Sequence, residues 1–349
     1  MARLTLILGV LATVVYLLDG FRFMLNEWLN WRNKGTGLAV LGLCLMPSVA
    51  EAACSGASPS LVAISPSLVD VNDCLTAAVD GDTINVPAGS STWTSRLVPT
   101  KSISIVGAGI DQTIITGDNV SQGCVIAWVT QATGNTPAGF SELTGFTFQS
   151  TATCGPGDER SNLVDIGGNS TNVRVHHNKF LGSASGALRA LTNARGVADH
   201  NTFVNTTNLL HITPALHDVW VGVGLYGDKS WAVASTMGTT EAFFFEDNTY
   251  TNNHATGGFY CTDDYGGART VFRFNAFSNC TTQTHGTESG GRTRSNRHTE
   301  VYRNLFLWNE VAGFPSQISS RGGTGVIFDN VATTSGIGSL TRFVDFNTF

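Results

Sequence analysis

The sequence predicts an all-β fold, a single-stranded parallel β-helix solenoid, because one short motif returns along the chain. In this motif an Asn ends a run of alternating apolar residues and is followed two residues later by an aromatic residue. The copies are Asn178/Phe180, Asn201/Phe203, Asn248/Tyr250, Asn275/Phe277, Asn304/Phe306 and Asn347/Phe349, with a decayed copy at Asn330. Recurrence at this spacing is typical of strand units that bury their apolar faces only against neighbouring units.

The Asn residues of the motif have an architectural explanation. Asn tolerates the left-handed backbone conformation that tight turns require, and stacked Asn side chains can form hydrogen bonds from coil to coil. The step from Asn201 to Asn248 is about twice the step before it. A weaker copy of the motif, Gly224/Tyr226, predicts that two coils fill this step.

Residues 1–52 are predicted to be a hydrophobic segment and a signal peptide. Two apolar runs, 4–18 and 36–50, lie here, and the second ends in Ala50-Glu51-Ala52, a small-X-small cleavage sequence. The protein is therefore expected to be secreted, to an extracellular or periplasmic location. The first run is explained either by translation that begins at Met24 or by an additional anchor.

Residues 53–66 are rich in Ser, Ala and Pro and are predicted to be a linker, which leaves 67–349 for the solenoid. At the start of the solenoid, the apolar spacing of Leu68, Val71 and Leu75 fits one face of a short helix. Because the first coil of a solenoid is open on one side, this helix is predicted to be its N-terminal cap.

Six cysteines follow the predicted signal peptide, which itself contains Cys44. An even number is typical of disulfide-bonded proteins from an oxidising compartment. Residues one coil apart stack at about 4.8 Å, which is within reach of a disulfide bond. The spacing along the chain predicts the pairs Cys54–Cys74, Cys124–Cys154 and Cys261–Cys280. The sequence has no Cys-X-X-Cys pair, which argues against a metal site.

The segments 81–89 (GDTINVPAG), 101–109 and 113–115 resemble the first coils of the right-handed parallel β-helix superfamily of pectate-lyase-like proteins. The resemblance covers about residues 66–349 and implies right-handed coils. It implies no single reaction, because the superfamily contains lyases, hydrolases, esterases, epimerases and non-catalytic surface proteins.

Predicted loops leave the coils in the carboxy-terminal half of the chain and should wall one groove. They span 227–240, which contains Trp231, then 262–267, 281–298 and 315–325. Counted from the Asn of the motif in each coil, Asp263, Arg292 and Arg321 occupy nearly equivalent positions, so they are predicted to lie side by side on neighbouring coils. The groove is therefore the predicted binding site.

The chain has a net charge of −6, yet the segment 265–325 is basic. It contains seven arginines, at positions 269, 273, 292, 294, 297, 303 and 321, against three glutamates. Guanidinium groups match carboxylates or sulfates with two-pronged hydrogen bonds, so an acidic polysaccharide is the predicted partner. No nucleic acid is expected as a partner, because the chain is predicted to be secreted and lacks a basic aromatic motif.

Among the reactions of the superfamily that the chain resembles, the predicted one is β-elimination on a uronic acid. In this reaction a cation neutralises the uronate, a base removes the proton beside the carboxylate and an acid protonates the leaving oxygen. His285 is the predicted base, since its unperturbed pKa lies near neutrality. Arg292, Arg294 and Arg297 complete the predicted catalytic set, and Arg269, Arg321, Trp231 and His298 are predicted to bind substrate. Asp263, Asp264 and Glu288 are candidate ligands for Ca²⁺, the one cofactor that the sequence suggests.

A glycoside hydrolase is the first alternative. The order Asp247, Asp263-Asp264, His285-Gly286 resembles the acid series and Gly-His-Gly of polygalacturonases, although one flanking Gly is missing. The pectate lyase pattern is also incomplete: Asp199-His200 resembles part of one lyase signature, but the usual Arg-X-Pro-X-X-Arg is absent from the sequence.

A non-catalytic carbohydrate-binding or structural surface β-helix is the second alternative. In that case Asp263 or Asp264 would form an ion pair with Arg292, and Glu288 with Arg321, to hold the loops together. A further column, His176, Asp199, Glu246 and Arg273, lies two residues before each ladder Asn and is predicted to be a solvated row of charges. The sequence ends on the aromatic residue of the motif, Phe349, which predicts self-association or continuation at the C-terminal end.

Overall fold

The structure of the protein is a computed structural model. It describes residues 54–118, 126–129, 139–150, 162–168, 170–182, 186–191, 194–205, 211–213, 215–216, 236–253, 260–264, 266–284, 295–308, 316–334 and 339–343. The predicted signal peptide lies outside these ranges. Within them, no helix has the length and apolar character that a membrane span requires.

The described strands form four sheets. Sheet A contains β1 (Cys54–Ala57), β2 (Ser60–Ala63), β3 (Thr83–Val86), β5 (Ser104–Gly107), β8 (Ser141–Thr144), β11 (Val173–His176), β14 (Gly196–Asp199), β18 (Phe243–Glu246), β21 (Arg269–Arg273), β24 (His298–Tyr302) and β27 (Gly325–Phe328). Sheet B contains β4 (Gly89–Trp93), β6 (Thr113–Gly117), β9 (Thr147–Ser150), β12 (Lys179–Leu181), β15 (Thr202–Asn205), β19 (Thr249–Asn252), β22 (Ala276–Ser278), β25 (Leu305–Trp308) and β28 (Val331–Thr334).

Two smaller sheets complete the described strands. Sheet C contains β7 (Ile126–Val129), β10 (Asn162–Gly167), β13 (Gly186–Leu191) and β17 (Ala215–Leu216). Sheet D contains β16 (His211–Thr213), β20 (Tyr260–Asp264), β23 (Thr281–Thr284), β26 (Ser316–Ser320) and β29 (Ser339–Phe343). Consecutive strands of the chain lie in different sheets: β18, β19 and β20 are in sheets A, B and D. Apart from the antiparallel pair β1–β2, neighbouring strands in each sheet come from successive coils and run parallel, which is the β-helix arrangement that the repeats predict.

The aromatic residues of the motif point into the core from sheet B. Neighbouring rings are separated by 4.6 to 5.5 Å between centroids. The stack runs through Phe148, Phe180, Phe203, Tyr250, Phe277 and Phe306. This separation matches the spacing of adjacent strands, about 4.8 Å, so one ring per coil is enough to fill this side of the core.

The Asn ladder is confirmed between sheets A and B. The Nδ2 group of each Asn donates to Oδ1 of the Asn in the next coil, over 3.2, 3.0, 3.1, 3.0 and 3.0 Å from Asn178 to Asn330. Each Nδ2 group also donates to a backbone carbonyl, as Asn248 does to Ala198 over 2.8 Å. The buried amides thus have partners in both directions.

The left-handed residue of the turn is the one before the ladder Asn, which corrects the expectation for Asn itself. Its φ lies between 50° and 58° in six coils. The residues are His177, His200, Asp247, Phe274, Arg303 and Asp329. The turn thus places an exposed or half-buried side chain of variable chemistry outside the coil, while the following Asn turns inward.

The step from Asn201 to Asn248 contains one coil and not two. Asn201 Nδ2 donates directly to Asn248 Oδ1, and β14 and β15 pair directly with β18 and β19. The prediction that Gly224/Tyr226 forms an intervening coil is therefore wrong. Residues 217–235, which include Gly224 and Tyr226, lie outside the described residues.

The predicted helix is confirmed as α1 (Leu68–Ala77), and it packs against β1, β2 and β3. The hydroxyl of Ser67 caps it by accepting from the Asp70 backbone N–H, and Val71, Cys74 and Leu75 are buried. Residues 53–66 are not a linker, because β1 and β2 form an antiparallel hairpin and β2 pairs with β3. Serine-rich composition predicted a tether, but backbone pairing at a sheet edge needs no apolar side chains.

Two predicted disulfides are confirmed. Cys54 pairs with Cys74 and Cys261 with Cys280, with Cα–Cα distances of 5.0 and 5.5 Å. The first ties α1 to the initial hairpin, and the second ties neighbouring coils together. Cys124 and Cys154 lie outside the described residues, so their pairing stays a prediction.

Candidate functional site

The structure describes part of the predicted site. His285, Glu288, Arg292, Arg294 and Trp231 lie outside the described residues, and their roles stay predictions. The described members are Asp263, Asp264, Arg269, Arg297, His298 and Arg321. Asp263 and Arg321 lie on or next to the strands of sheet D, Arg269, Arg297 and His298 lie where the chain passes from sheet D to sheet A, and Asp264 points inward.

The outer face of sheet D carries a row of polar side chains on adjacent coils. Ile318 is in the buried core, so its strand neighbours Gln317 and Ser319 point outward. Register places Asp263, Gln283 and Ser319 side by side on β20, β23 and β26. These side chains lie on the outer surface of the coils, yet Asp263 and Gln317 are 0% exposed.

The amides of this row have hydrogen-bonding capacity left over. Gln283 Nε2 donates to Asp263 Oδ1 over 2.9 Å. Among the described residues, Gln283 Oε1 and both amide atoms of Gln317 have no hydrogen-bond partner. A buried polar atom without a partner is unfavourable by about 1–3 kcal/mol. A ligand that offers both donors and acceptors would supply the missing bonds.

Sequence reasoning missed both glutamines, although a signal was present. The strands TTQT (281–284) and SQISS (316–320) are polar at nearly every position. In a solenoid only the outward positions should be polar, so such strands indicate that something other than core packing selects their side chains.

Sheet C continues the row with a buried ion pair. Arg189 Nε and Nη2 donate to the two carboxylate oxygens of Asp165, each over 3.0 Å. Asp165 and Arg189 face each other in register on β10 and β13, and both side chains are less than one tenth exposed. The bidentate geometry satisfies both charges. The polar outer face thus spans sheets C and D.

Asp264 points to the other side of sheet D. The hydroxyls of Thr270 and Thr299 donate to its Oδ2, the latter over 2.9 Å, and both threonines are inward positions of sheet A. Burial raises the pKa of Asp264 to about 8, so the carboxyl is protonated at neutral pH.

The predicted Ca²⁺ ligands are therefore not brought together by the described residues. Asp263 and Asp264 are consecutive on β20 and point to opposite faces of the sheet. No group of three His, Cys, Asp or Glu side chains within the described ranges is placed to hold a metal ion. Because Glu288 is outside these ranges, Asp263 alone of the three is a described candidate on the outer face.

The corner between sheets D and A gathers cations. Arg269 and His298 face each other in register at the start of β21 and β24. Burial lowers the pKa of Arg269, and the positive charges of Arg195 and Arg297 lower it further. Burial also lowers the pKa of Arg297. Glu241 opposes this charge, with its Oε2 atom 3.8 Å from Arg269 Nη1.

His298 lies inside this corner and has no exposed side-chain surface. Its Nδ1 is 3.0 Å from the Thr236 hydroxyl. Burial, then the charges of Arg269 and Arg297, lower its pKa to about 4, so the ring is neutral at neutral pH. In this conformation His298 contacts Thr236 and not solvent, unlike the predicted substrate contact.

Arg321 lies directly after the end of β26 in sheet D. Gln317, Ser319 and Arg321 are alternate residues along the chain, of which the first two point outward from β26. The side chain of Arg321 is half-buried. Its backbone N–H donates to the Thr284 carbonyl over 3.2 Å. In register, Asp263 lies in line with Ser319, two residues before Arg321, so the predicted phase relation between Asp263 and Arg321 stays a prediction.

The residues of the hydrolase alternative are not assembled. Asp247 lies in the turn between sheets A and B, with φ 54°, whereas Asp263 is on the outer face of sheet D. Asp264 points inward. These three carboxylates occupy three different surroundings, so the described residues offer no acid pair of the kind that hydrolysis needs.

The predicted row of charges lies on sheet A, but it is not solvated throughout, because Asp199 is only 4% exposed. Asp199 accepts from Arg174 Nε and Nη2 over 2.9 and 2.7 Å, and this ion pair lowers the pKa of Asp199 against the effect of burial. His200 Nδ1 is 2.8 Å from the same carboxylate. Arg273 likewise donates to Glu246. These contacts link neighbouring coils.

The similarity of this chain to known proteins is limited to solved structures. No protein-family model matches the chain. No curated protein matches it. Among solved structures it is similar to the alginate lyase from Paenibacillus sp. str. FPU-7, at 11% identity and a TM-score of 0.46, over 81% of this chain and 97% of that one.

Two further structures share this similarity. A PL6-family alginate lyase matches at 11% identity and a TM-score of 0.38, over 82% of this chain and 53% of that chain. The catalytic domain of a GH87 α-1,3-glucanase matches at 12% identity and a TM-score of 0.35, over 75% of this chain and 53% of that one. The chain spans about half the length of these two proteins. At such identities and TM-scores, the reaction has to be argued from the site residues.

Proposed function

We propose that this chain is a secreted polysaccharide lyase that cleaves an acidic, uronate-containing glycan by β-elimination on the outer face of sheet D. One observation supports this most directly: buried amides with unused hydrogen-bonding atoms lie on sheet D, from which the chain passes to a corner rich in arginine. Hydroxyl groups and carboxylates on one ligand would satisfy both features. We also infer that the coils form one continuous right-handed solenoid, with α1 as its cap.

The amide row suits the hydroxyl groups of a sugar. Gln317 offers a donor and an acceptor, and Gln283 offers an acceptor because its amide nitrogen is committed to Asp263. A sugar hydroxyl both donates and accepts, so one ring can bond to both residues. A buried amide matched in this way discriminates strongly against ligands that lack the hydroxyl.

The arginine corner suits the carboxylate of a uronate. Burial lowers the pKa of both Arg269 and Arg297. The positive charges of Arg195 and Arg297 lower the pKa of Arg269 further. A carboxylate placed there would reverse the unfavourable interaction between cations. Neutralising the uronate also makes the proton beside its carboxylate easier to remove, which is the first requirement of β-elimination.

His285 is proposed as the base, with Arg292, Arg294 and Arg297 as the groups that stabilise the developing charge. His298 is neutral and could accept a proton chemically, but its complete burial keeps it from substrate. Should Ca²⁺ take part, Asp263 and Glu288 are the proposed ligands, and Asp264 is not. Self-association or continuation at the C-terminal end stays a prediction, because residues 344–349 lie outside the described ranges.

The reaction is tested by incubating the chain with a panel of acidic polysaccharides. β-Elimination creates an unsaturated uronate that absorbs in the ultraviolet, and its appearance is the expected result. New reducing ends without this absorbance would indicate a hydrolase. Binding without either product would indicate a non-catalytic carbohydrate-binding protein, and neither outcome is compatible with the proposed lyase.

Substitutions separate binding from chemistry. His285→Ala should abolish turnover with little change in affinity, because a base acts in the transition state. Arg321→Ala should weaken binding, by an amount that shrinks as salt concentration rises.

Gln317→Met should weaken binding about threefold to tenfold by removing a pair of hydrogen-bonding atoms. Gln149→Met is the matched control, since Gln149 donates to Thr116 on the outer face of sheet B. Equal effects of the two glutamine substitutions would refute the proposed site.

A further inference from the structure

A cavity of about 460 Å³ lies between the inner faces of sheets A and D. Thr282, Thr284 and Ile318 line it from sheet D, and Val301 and Ile327 line it from sheet A. Ile318 and Val301 belong to the buried core, so the cavity is on the opposite side of sheet D from the amide row. Gln283 and Ser319 of that row also contribute to its lining, so the cavity adjoins the site of the proposed lyase reaction across sheet D.

The cavity exists because a column of large side chains ends. On the inner face of sheet A, Phe245 and Phe272 stack with their ring centroids 5.0 Å apart. In the next two coils, register places Val301 and Ile327 in the same column. These side chains are smaller than phenylalanine and leave room that a continued phenylalanine column would occupy.

A space of this size has to be filled. At roughly 30 Å³ for each molecule it would hold about 15 waters, and it falls within the range of about 300–1,000 Å³ that is usual for small-molecule sites. An empty cavity would be strongly destabilising, since its walls would lose their packing contacts.

The two walls differ in chemistry. The polar wall consists of the hydroxyls of Thr282, Thr284, Thr299 and Ser320 and the amide of Asn296, and the apolar wall consists of Val301, Ile318 and Ile327. Asn296 Nδ2 donates to the Thr299 hydroxyl over 3.0 Å, and that hydroxyl donates to Asp264, so part of the polar wall is already oriented. The lining reaches the surface at Gly325, which is exposed.

We propose that this cavity binds one neutral sugar ring. A pyranose has an apolar C–H face and an edge of hydroxyl groups, which match the apolar wall and the polar wall. None of the described residues that line the cavity is charged, so a uronate would bury its carboxylate without a cation. The cavity therefore selects uncharged rings, in contrast to the arginine corner, and does not depend on the lyase reaction.

Filling the cavity is the most direct test. Val301→Phe extends the column of Phe245 and Phe272 into the space that the ligand would occupy. Methyl glycosides of glucose, galactose and mannose are titrated into the full chain and detected by saturation-transfer NMR, with galacturonate as the charged control. At least one neutral glycoside should bind to the unaltered protein. Val301→Phe should remove this binding while the melting temperature stays the same or rises.

A conservative pair of variants controls for the fold. Thr282→Val removes one hydroxyl from the cavity wall at nearly constant volume and should weaken binding about threefold to tenfold. Thr281→Val makes the same change one residue earlier on β23, on the outer face of the sheet, and should leave binding unchanged. Three results would overturn the proposal: no neutral glycoside binds, galacturonate binds equally well, or binding survives Val301→Phe. A cavity that holds only water gives the first result.

Discussion

Replacing Asp264 with Asn should stabilise the protein at neutral pH. The carboxyl of Asp264 is completely buried, and burial raises its pKa from 3.8 to about 8. Below the unfolded pKa both states are protonated, and the folded state keeps its full stability. As the pH rises from 3.8 towards 8, the unfolded state ionises while the folded state stays neutral, so the free energy of unfolding falls.

The magnitude follows from the distance between the two pKa values. At roughly 1.4 kcal/mol for each pH unit, the loss between the unfolded pKa and neutral pH is about 4 kcal/mol. Asn is uncharged at every pH, and its carbonyl oxygen can still accept from Thr270 and Thr299. Asp264→Asn should therefore raise the melting temperature near neutral pH by on the order of 5–10 °C.

The assay is thermal unfolding at several pH values, followed by circular dichroism. The gain from Asp264→Asn should be near zero at about pH 4 and should reach its maximum at about pH 8. Asp263→Asn is the matched control on the opposite face of β20, where the carboxylate accepts from Gln283. A gain that does not change with pH, or a loss of stability near pH 8, would refute the assignment of Asp264 as a buried neutral acid.

Two further predictions concern the coils. Asn248→Ala should destabilise the protein by about 2–4 kcal/mol, because it leaves buried partners in two neighbouring coils without hydrogen bonds; denaturant unfolding measures this, and a change like that of an exposed Asn would contradict the ladder. Replacing both Cys261 and Cys280 with Ala should lower stability by about 2–4 kcal/mol. Peptide mapping without reduction should recover the two residues in one linked peptide, and free thiols there would be incompatible with the register of β20 and β23.

The spacing of residues along the chain was sufficient to predict the repeating part of the fold. The Asn and aromatic residues recur once per coil, so their spacing predicted both the ladder and the stack, and the coil spacing predicted which cysteines meet. The prediction from spacing failed where a motif-like segment does not pair with the neighbouring coils. Gly224/Tyr226 has the form of a motif, but direct pairing of Asn201 with Asn248 leaves no place for an additional coil.

In the candidate site, too, some residues could be predicted from their spacing and others could not. Charge and phase along the chain indicated the region of Asp263 and Arg321, because equal positions in successive coils lie side by side. The side chains of consecutive residues on a strand point to opposite faces of the sheet. Asp263 and Asp264, which were predicted from the sequence to bind one ion, therefore lie on opposite faces of sheet D. Gln283 and Gln317 were not predicted as site residues from the sequence. Only the folded chain shows that their amide atoms are buried without hydrogen-bond partners.

Spacing along the chain was enough to predict the repeat, the strands, the helix α1 and two disulfides. Only the tertiary structure decided that Asp264 is a neutral acid in the interior, that His298 is buried behind Thr236, and that a cavity opens where phenylalanine gives way to Val301. These properties depend on which atoms surround a side chain. Burial, and with it pKa and packing, is set by neighbours from distant parts of the chain.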